Sequence, residues 1–211
     1  APRLMVAVAS PREQFTMAYM HGQTSQKLMP IYEHLVGRNV MTNIEFPQIA
    51  ESYGMEADGK TWWFKLRKGV PYYKDQVPYK DYTVTANDIK FTFDLSIGDR
   101  GNYPTKSTRS AATWNKWFGG PENWEVVDDY HFILHGPRVN LDIGWFLSDE
   151  WQVAMQSEKH WNAVGGEEGY VADPIGAGPW TFIDRKVGEF FHHERVLDHY
   201  RVTPGFHELY I

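Results

Sequence analysis

Apolar residues form a continuous run near the start of the chain, at positions 4–9, and the run ends at Ser10 and Pro11. Such a run predicts a β-strand that is buried on both faces. In open α/β sheets, ligands bind beyond the carboxyl ends of the strands. We therefore expect residues 10–15 either to border a ligand site or to form a plain connecting loop.

A second stretch has apolar residues at the helical spacing i, i+3, i+4 and i+7, namely Leu28, Ile31, Tyr32 and Leu35. This spacing predicts an amphipathic helix that ends at Gly37. Pro30 would lie in the first turn of a helix that begins near Leu28. A helix that begins as early as Ser25 would instead be kinked at Pro30, because the proline ring clashes with a preceding carbonyl.

Three pairs of strands are separated by turn residues and predict antiparallel hairpins. The pairs span residues 48–67, with a turn at Asp58-Gly59, then 124–134, and finally 180–196, with a turn at Val187-Gly188. Glycine at such turns supplies the positive φ that tight turns require. The Gly/Pro-rich segment 173–180 predicts a rigid turn that leads into the last hairpin.

Helices are predicted between these hairpins. Thr85 as the N-cap and Asp88 as the third helical residue form the pattern of a capping box, which predicts a helix that extends to Ile97. Residues 98–120 have weak periodicity and predict a loop with one short helix. Two more short helices are predicted at 141–147 and 157–163.

The composition is that of an ordinary folded protein, with 211 residues, 42% hydrophobic, 23% charged, a net charge of −6 and no cysteine. It excludes disordered, collagen-like and disulfide-stabilised classes, and also thiolate metal ligands and thiol nucleophiles. The excess of acidic residues argues against a nucleic-acid partner. No apolar run reaches the roughly 20 residues of a membrane span, and no secretory signal pattern is present.

Common signatures of catalysis are missing from the sequence, which has no G-x-S-x-G elbow, Walker A loop or H-E-x-x-H helix. His192 and His193 would point to opposite faces of a strand, so we expect no metal site there. Pairs of adjacent acids at 128–129, 149–150 and 167–168 predict solvated turns. A hydrolase that uses paired carboxylates is the least favoured function.

Nine tryptophans are the strongest oddity of the composition. Those on predicted strands are expected to pack in the core. Others fall in less regular stretches, where they could either pack in the core or form the walls of a ligand cleft. These are Trp114, Trp117, Trp145 and Trp151.

Six short segments together resemble a known family. They are IYEHLV at 31–36, IAESY at 49–53, DGKTW at 58–62, FKLRKGV at 64–70, VTANDI at 84–89 and GAGPW at 176–180. In this order they resemble the family 5 extracellular solute-binding proteins, the peptide- and nickel-type receptors of ABC importers. The resemblance covers residues 4 to about 210.

The resemblance implies an α/β fold of the type II periplasmic-binding-protein class, in which two lobes trap a solute and deliver it to a membrane permease. Members of the family are more than twice as long as this chain, so we expect the first lobe alone, with the second lobe absent. Residues 1–40 and 166–211 would form the core of this lobe, around a mixed sheet. Residues 41–165 would form an inserted α/β subdomain.

The resemblance also implies a function. The expected ligand is an oligopeptide or a similar small solute, with an oligosaccharide as the alternative within the family, and the expected partner is an ABC permease. The expected location is periplasmic or extracellular, with membrane association only through the permease or a lost lipid anchor. No cofactor, metal or catalysis is expected. A stand-alone interaction module, with a broad apolar contact surface, is the alternative outside the family.

Candidate ligand contacts follow from the strand-end rule and from the resemblance, which both point to the loop after the first strand. Ser10 could offer a hydrogen bond, Arg12 could pair with a carboxylate and Glu13 with an amine. The two charged residues could equally be solvated loop residues. Further candidates are Gly178 in the segment 176–179, and the indoles of Trp114 and Trp117.

Overall fold

The computed structural model describes residues 2–7, 27, 29–39, 41–97, 111–147 and 154–211. Its strands are β1 (Arg3–Met5), β2 (Val36–Arg38), β3 (Glu45–Pro47), β4 (Ala50–Met55), β5 (Thr61–Leu66), β6 (Pro71–Lys74), β7 (Val77–Thr83), β8 (Trp124–Asp128), β9 (His131–His135), β10 (Trp180–Lys186), β11 (Phe190–Arg195) and β12 (Glu208–Tyr210). Its helices are α1 (Ala86–Ser96), α2 (Ala111–Phe118), α3 (Ile143–Phe146), α4 (Glu158–Ala163) and α5 (Glu167–Ala172). Short 3-10 turns lie at Met29–Ile31 and Pro121–Asn123.

One mixed sheet combines a strand from the start of the chain with three strands from its last third, in the order β1-β12-β11-β10. We call it the terminal sheet. β1 lies parallel to β12, and the other neighbours are antiparallel. Met5 is paired with Tyr210 and Tyr210 with His192, so these three side chains share one face. The opposite face buries Leu209 against a cluster that includes Ile31.

A second sheet is built from the middle of the chain, in the order β4-β5-β9-β8, and all its neighbours are antiparallel. Gly59 turns the chain between β4 and β5 with a φ of 69°. Phe64 of β5 and Phe132 of β9 are fully buried beneath Phe93 of α1, whose ring centroid lies 5.6 Å from that of Phe132. The hairpins predicted at 48–67, 124–134 and 180–196 are all confirmed.

Helix α1 begins where the capping signal predicts. The Asp88 carboxylate accepts a hydrogen bond from the backbone N–H of Thr85 at 2.9 Å, which is the reciprocal half of a capping box. The other carboxylate oxygen accepts from the N–H of Glu158, the first residue of α4, at 2.9 Å. Asp88 therefore joins the amino ends of two helices, and its burial raises its pKa to about 7.

The amphipathic helix predicted from Leu28 to Leu35 is wrong. Of the described residues in this stretch, only the 3-10 turn at Met29–Ile31 is helical, and residues 32–35 form no regular secondary structure before β2 begins. Distant residues donate to carbonyls of this segment, including that of Ile31, which an α-helix would pair with the N–H of residue 35. Leu35 accepts from the N–H of Ala50 at 3.0 Å, and Ile31 accepts from the N–H of Gly178 at 2.8 Å. These distant hydrogen bonds override the local apolar spacing.

Strand β1 is not buried on both faces, contrary to the prediction for residues 4–9. Met5 is 75% exposed and Val6 is 41% exposed. β1 lies at the end of the strand order of the terminal sheet, with β12 as its neighbour, and only Leu4 packs against the core cluster. Residues 8 and 9 lie outside the described part of the chain.

The short helices predicted at 141–147 and 157–163 are confirmed as α3 and α4. Ser157 caps α4, because its hydroxyl accepts a hydrogen bond from the N–H of His160 at 3.2 Å. α2 lies within the stretch 98–120, where the sequence predicts a short helix, and residues 98–110 lie outside the described part. Within the described residues, no helix combines the length and apolar character that crossing a membrane requires.

Candidate functional site

The carboxyl ends of β1 and β12 lie side by side because the two strands are parallel. The N–H of Val6 donates to the carbonyl of Tyr210 at 2.8 Å, and Ile211 exchanges backbone hydrogen bonds with Phe191 of β11 at 2.9 and 3.0 Å. A cavity of about 640 Å³ opens at this end of the terminal sheet. We call it the carboxyl-end groove. Its lining consists of Arg3, Met5, Val6, Ala7, Lys27, Lys186, Gly188, Glu189, Phe190, Phe191, Tyr210 and Ile211.

Tyr210 is one of the residues that line this groove. Its ring stacks on the imidazole of His192, with ring centroids 4.4 Å apart and planes 9° from parallel. The guanidinium carbon of Arg3, on the other neighbouring strand, lies 4.7 Å from the Tyr210 centroid. The Phe190 ring approaches Tyr210 edge-on at 5.6 Å. Side chains from both neighbouring strands therefore contact the Tyr210 ring and favour this orientation.

Arg3 is also paired with Glu208 of β12, with the guanidinium Nε 2.6 Å from a carboxylate oxygen. This hydrogen bond raises the pKa of Arg3 and lowers the pKa of Glu208. Both side chains are partly exposed, so solvent screens the pair and it contributes little to stability. Its main consequence is local, because it holds the Arg3 guanidinium beside Tyr210.

Lys27 reaches the opposite side of the groove. Its ammonium lies 5.0 Å from the centroid of the Phe191 ring, and the residue is only 7% exposed. Its backbone carbonyl accepts a hydrogen bond from Nε2 of His193 at 2.7 Å. Burial lowers the pKa of His193 to about 4, so this imidazole is neutral and carries its proton on Nε2. His193 thereby fixes the backbone from which the Lys27 side chain extends.

The turn between β10 and β11 closes one end of the groove. Gly188 adopts a φ of 76°, and Lys186 and Glu189 form an exposed ion pair across the turn at 2.6 Å. The described lining therefore combines three basic side chains, one acidic side chain and three aromatic rings. Such a surface can bind a ligand that has both an apolar part and an anionic group.

Three of the predicted ligand contacts, Ser10, Arg12 and Glu13, lie in the segment 8–26, outside the described residues. The groove nevertheless lies at the carboxyl end of β1, from which the chain continues toward Ser10. Their role in binding stays a prediction.

Gly178 is buried where two backbone segments cross. Its N–H donates to the carbonyl of Ile31 at 2.8 Å, and a Cβ added at Gly178 would lie 2.6 Å from the carbonyl oxygen of Tyr32. The same crossing constrains Gly176, where a Cβ would lie 1.8 Å from the Ile31 oxygen. Close packing of backbones thus accounts for both glycines. A ligand contact by Gly178 stays a prediction.

Trp114 and Trp117 lie three residues apart on α2 but differ in burial. Trp114 is 4% exposed, and its ring packs against Phe118 at 4.6 Å and Phe93 at 5.1 Å. Trp117 is half-buried, with the guanidinium carbon of Arg138 5.2 Å from its ring centroid. Neither indole belongs to the described lining of the carboxyl-end groove. Their role as cleft walls stays a prediction.

Lys27, Phe190 and Tyr210 are groove residues that sequence reasoning missed. The strand-end rule points to the first strand, and the strand at 208–210, which ends beside it, has no strand signal in the sequence. Parallel pairing between two strands about 200 residues apart leaves no local signal. The two adjacent aromatic residues Phe190 and Phe191, directly after the Gly188 turn, are the sequence feature that indicates an aromatic surface here.

The acid pairs that the sequence singled out lie on separate elements where the structure describes them. Asp128 and Asp129 lie at the exposed turn between β8 and β9, whereas Glu167 and Glu168 begin α5. The pair at 149–150 lies outside the described residues. Across the parts of the chain that the structure describes, no group of three His, Asp or Glu side chains could hold a metal ion.

A mixed sheet with a groove at the carboxyl ends of its parallel strands is the arrangement of α/β ligand-binding proteins. Residues 46–206 match the family model "Bacterial extracellular solute-binding proteins, family 5 Middle". The chain therefore belongs to the family 5 extracellular solute-binding proteins, which confirms the resemblance seen in the sequence.

Individual relatives agree with this assignment. The dipeptide-binding protein of Escherichia coli (strain K12) is 29% identical over 163 residues, which cover 72% of this chain and 29% of the relative. Heme-binding protein A of Haemophilus influenzae is 28% identical over 170 residues, 75% of this chain and 30% of the relative. The chain thus spans about 30% of the length of these curated relatives.

A solved structure establishes the fold. It is the ABC transporter-associated periplasmic binding protein DppA from Helicobacter pylori, in complex with the peptide STSA. It superposes with a TM-score of 0.80 at 19% identity, over 99% of this chain and 41% of that protein. The predicted fold class, an α/β fold of the type II periplasmic-binding-protein kind, is confirmed.

Proposed function

We propose that this chain is the first lobe of a solute-binding protein that serves an ABC importer. The protein captures an oligopeptide or a similar small solute between two lobes and delivers it to the permease. Membership of the family and the dipeptide-binding relative support this proposal. The expected location is the periplasm or the outside of the cell, where such a receptor meets its solute.

The observation that carries the proposal is the carboxyl-end groove. It lies where α/β sheets bind ligands, its volume of about 640 Å³ suits a small solute, and its lining mixes aromatic and charged side chains. It would form one wall of the cleft. The loop with Ser10, Arg12 and Glu13 leaves β1 at the same end and would extend that wall.

Solute capture would work by hinge closure. A solute that contacts both lobes interacts more strongly with the closed state than with the open state. This difference in interaction free energy shifts the equilibrium toward the closed state. One lobe supplies only part of these contacts and leaves its wall hydrated. The 211-residue chain alone should therefore bind the solute weakly.

We also propose that the lobe has two parts, a core from residues 1–40 and 166–211 and an inserted subdomain from 41–165. The strand order supports this division. The terminal sheet draws its strands from both outer segments, and the antiparallel sheet of β4, β5, β9 and β8 comes entirely from the middle.

The other functions have less support. An oligosaccharide ligand was suggested by the tryptophans, but five of the nine are at most 9% exposed and pack in the core. A carboxylate-based hydrolase needs acids that face each other, whereas the described acid pairs lie on separate elements. A stand-alone interaction module requires a broad apolar surface, and the carboxyl-end groove is instead mixed with charge.

The test is a binding screen on the polypeptide expressed from the whole reading frame that contains this chain. The solutes are the dipeptide Ala-Phe, the tripeptide Ala-Ala-Phe, maltotriose and hemin, each titrated by isothermal calorimetry. We expect peptide binding in the micromolar range or tighter, and much weaker binding to the 211-residue chain. If maltotriose alone binds, the solute is a saccharide and not a peptide. If none of the four solutes binds, the proposal is overturned.

A further inference from the structure

We infer that Tyr210 contacts the solute in the carboxyl-end groove through its hydroxyl group and not through a face of its ring, and that His192 is the residue that positions it. Both roles rest on the proposed function, because they belong to the same groove. His192 is absent from the described lining of the groove, so it acts on the solute through Tyr210.

Both faces of the Tyr210 ring are covered by side chains of neighbouring strands. His192 of β11 stacks on one face, with ring centroids 4.4 Å apart and planes 9° from parallel. Arg3 of β1 approaches from the other side, with its guanidinium carbon 4.7 Å from the Tyr210 centroid. Because β11 and β1 flank β12, the two groups cover opposite faces of the ring. A solute would have to displace one of them in order to stack on Tyr210.

A carboxylate holds each of these two groups in place. Nδ1 of His192 donates to Asp184 of β10 at 3.2 Å, and Nε of Arg3 donates to Glu208 of β12 at 2.6 Å. The His192 side chain is 13% exposed, whereas that of Arg3 is 53% exposed. His192 is therefore the neighbour that solvent disturbs less, and it fixes the plane of the Tyr210 ring more firmly than Arg3 does.

The hydroxyl is the part of Tyr210 that remains for a hydrogen bond. Among the residues that the structure describes, none donates to this oxygen or accepts from its proton, and the oxygen is not fully buried. The Phe190 ring approaches Tyr210 edge-on, with ring centroids 5.6 Å apart, and brings no polar atom. A phenol can donate one hydrogen bond and accept another, so it suits a carbonyl, amide or hydroxyl group of the solute.

The contributions of His192 and of the hydroxyl to binding are coupled. Loss of the imidazole would uncover one face of the Tyr210 ring and give the side chain more freedom. Binding through the hydroxyl would then have to order the ring, a cost that the stack removes in the unaltered protein. The hydroxyl therefore contributes less to affinity once His192 is replaced.

The experiment is a calorimetric titration of Ala-Phe into the polypeptide expressed from the whole reading frame. Tyr210→Phe keeps the ring and its stack but removes the hydroxyl. We expect it to raise the Kd about fivefold, the effect of one lost neutral hydrogen bond. His192→Ala should raise the Kd by a similar factor, and Tyr210→Phe added to His192→Ala should raise it by less than about twofold more.

Two further variants serve as rescue and control. His192→Phe places a flat ring against Tyr210 again and should bring the Kd to within about twofold of the unaltered value. His135 also pairs with a carboxylate, that of Glu125 at 2.8 Å, but it belongs to β9 of the other sheet. His135→Ala should therefore leave the Kd unchanged.

An unchanged Kd for Tyr210→Phe would overturn the role of the hydroxyl. Effects that multiply in the double variant, or a His192→Phe variant that binds as weakly as His192→Ala, would overturn the positioning role of His192. Both results leave the proposed function standing, whereas an unaltered protein that does not bind Ala-Phe would count against the proposed function and against both roles.

Circular dichroism and the melting temperature verify the fold of each variant. If His192→Ala does not fold, His192→Asn takes its place in the double variant, because asparagine keeps a donor for Asp184 but has no ring that could stack on Tyr210.

Discussion

Arg201 and Glu33 form a bidentate ion pair between residues that are 168 positions apart in the chain. The guanidinium donates through Nη2 at 2.6 Å and through Nε at 3.3 Å to the two carboxylate oxygens. The Tyr200 hydroxyl donates a third hydrogen bond at 2.8 Å. The Glu33 side chain is 2% exposed, so these donors rather than solvent water satisfy its carboxylate oxygens. The ion pair connects the loop after β11 to the segment that precedes β2.

Removal of the Arg201 charge should strongly destabilise the fold. Arg201→Met leaves the Glu33 carboxylate buried without its cation, which costs about 3 kcal/mol of the free energy of unfolding. Lys186→Met breaks an exposed ion pair with Glu189 of the same length and should cost at most about 1 kcal/mol. Urea unfolding at neutral pH measures both. Equal costs for the two variants would contradict a stabilising role for the buried pair.

Two backbone segments cross at Gly176, and a second prediction follows from their close contact. A Cβ at this residue would lie 1.8 Å from the carbonyl oxygen of Ile31, so Gly176→Ala must push two packed segments apart. We expect a loss of about 3 kcal/mol in the free energy of unfolding. Gly205 has no heavy atom within 4 Å of an added Cβ and serves as the control, since Gly205→Ala should change stability by less than about 0.5 kcal/mol.

A Gly176→Ala variant that unfolds at the same urea concentration as the unaltered chain would show that the crossing can relax. Packing would then not explain the glycine at residue 176, and contact of the GAGPW segment with a solute would be one other explanation.

Local signals in the sequence predicted the elements whose geometry is set within a few residues. The capping box of Thr85 and Asp88 fixed the start of α1, and Asp58-Gly59 fixed the hairpin between β4 and β5. These signals work because the atoms that satisfy each turn are neighbours in the chain.

Elements that depend on distant partners could not be predicted in this way. The spacing of Leu28, Ile31 and Leu35 fits a helix, but Gly178 and Ala50 donate hydrogen bonds to the carbonyls of Ile31 and Leu35, and residues 32–35 are not helical. The parallel pairing of β1 with β12, and with it the groove, joins residues more than 200 positions apart. The carboxyl end of β1 carries a sequence signal for a ligand site, which stays a prediction, whereas Lys27 carries no signal of its own.

Acid should weaken the fold through His193. Its pKa in the folded chain is about 4, below the ordinary value of 6.5, because burial disfavours the charged form. The unfolded chain takes up this proton below pH 6.5, whereas the folded chain takes it up only near pH 4. The contribution of the neutral imidazole is therefore complete above pH 6.5 and is lost as the pH falls toward 4.

His193→Gln removes this titration and leaves an amide that can donate to the Lys27 carbonyl. Between pH 7 and pH 5, the free energy of unfolding should fall in both proteins. The fall should be about 2 kcal/mol smaller in the variant than in the unaltered chain. From pH 8 to pH 7, the two should change alike, which serves as the internal control. Parallel curves down to pH 5 would mean that His193 titrates normally in the folded chain.

The carboxyl-end groove is the central claim, and its most direct test is a calorimetric titration of Phe190→Ala with Ala-Phe. The polypeptide is again the one expressed from the whole reading frame. Phe190 lines the groove and is partly exposed, whereas Phe206 is 41% exposed and lies outside its described lining, so Phe206→Ala is the control. We expect Phe190→Ala to raise the Kd at least about tenfold, through the lost aromatic contact, and Phe206→Ala to leave it unchanged. An unchanged Kd in a folded Phe190→Ala variant would contradict the assignment of the groove as the solute site.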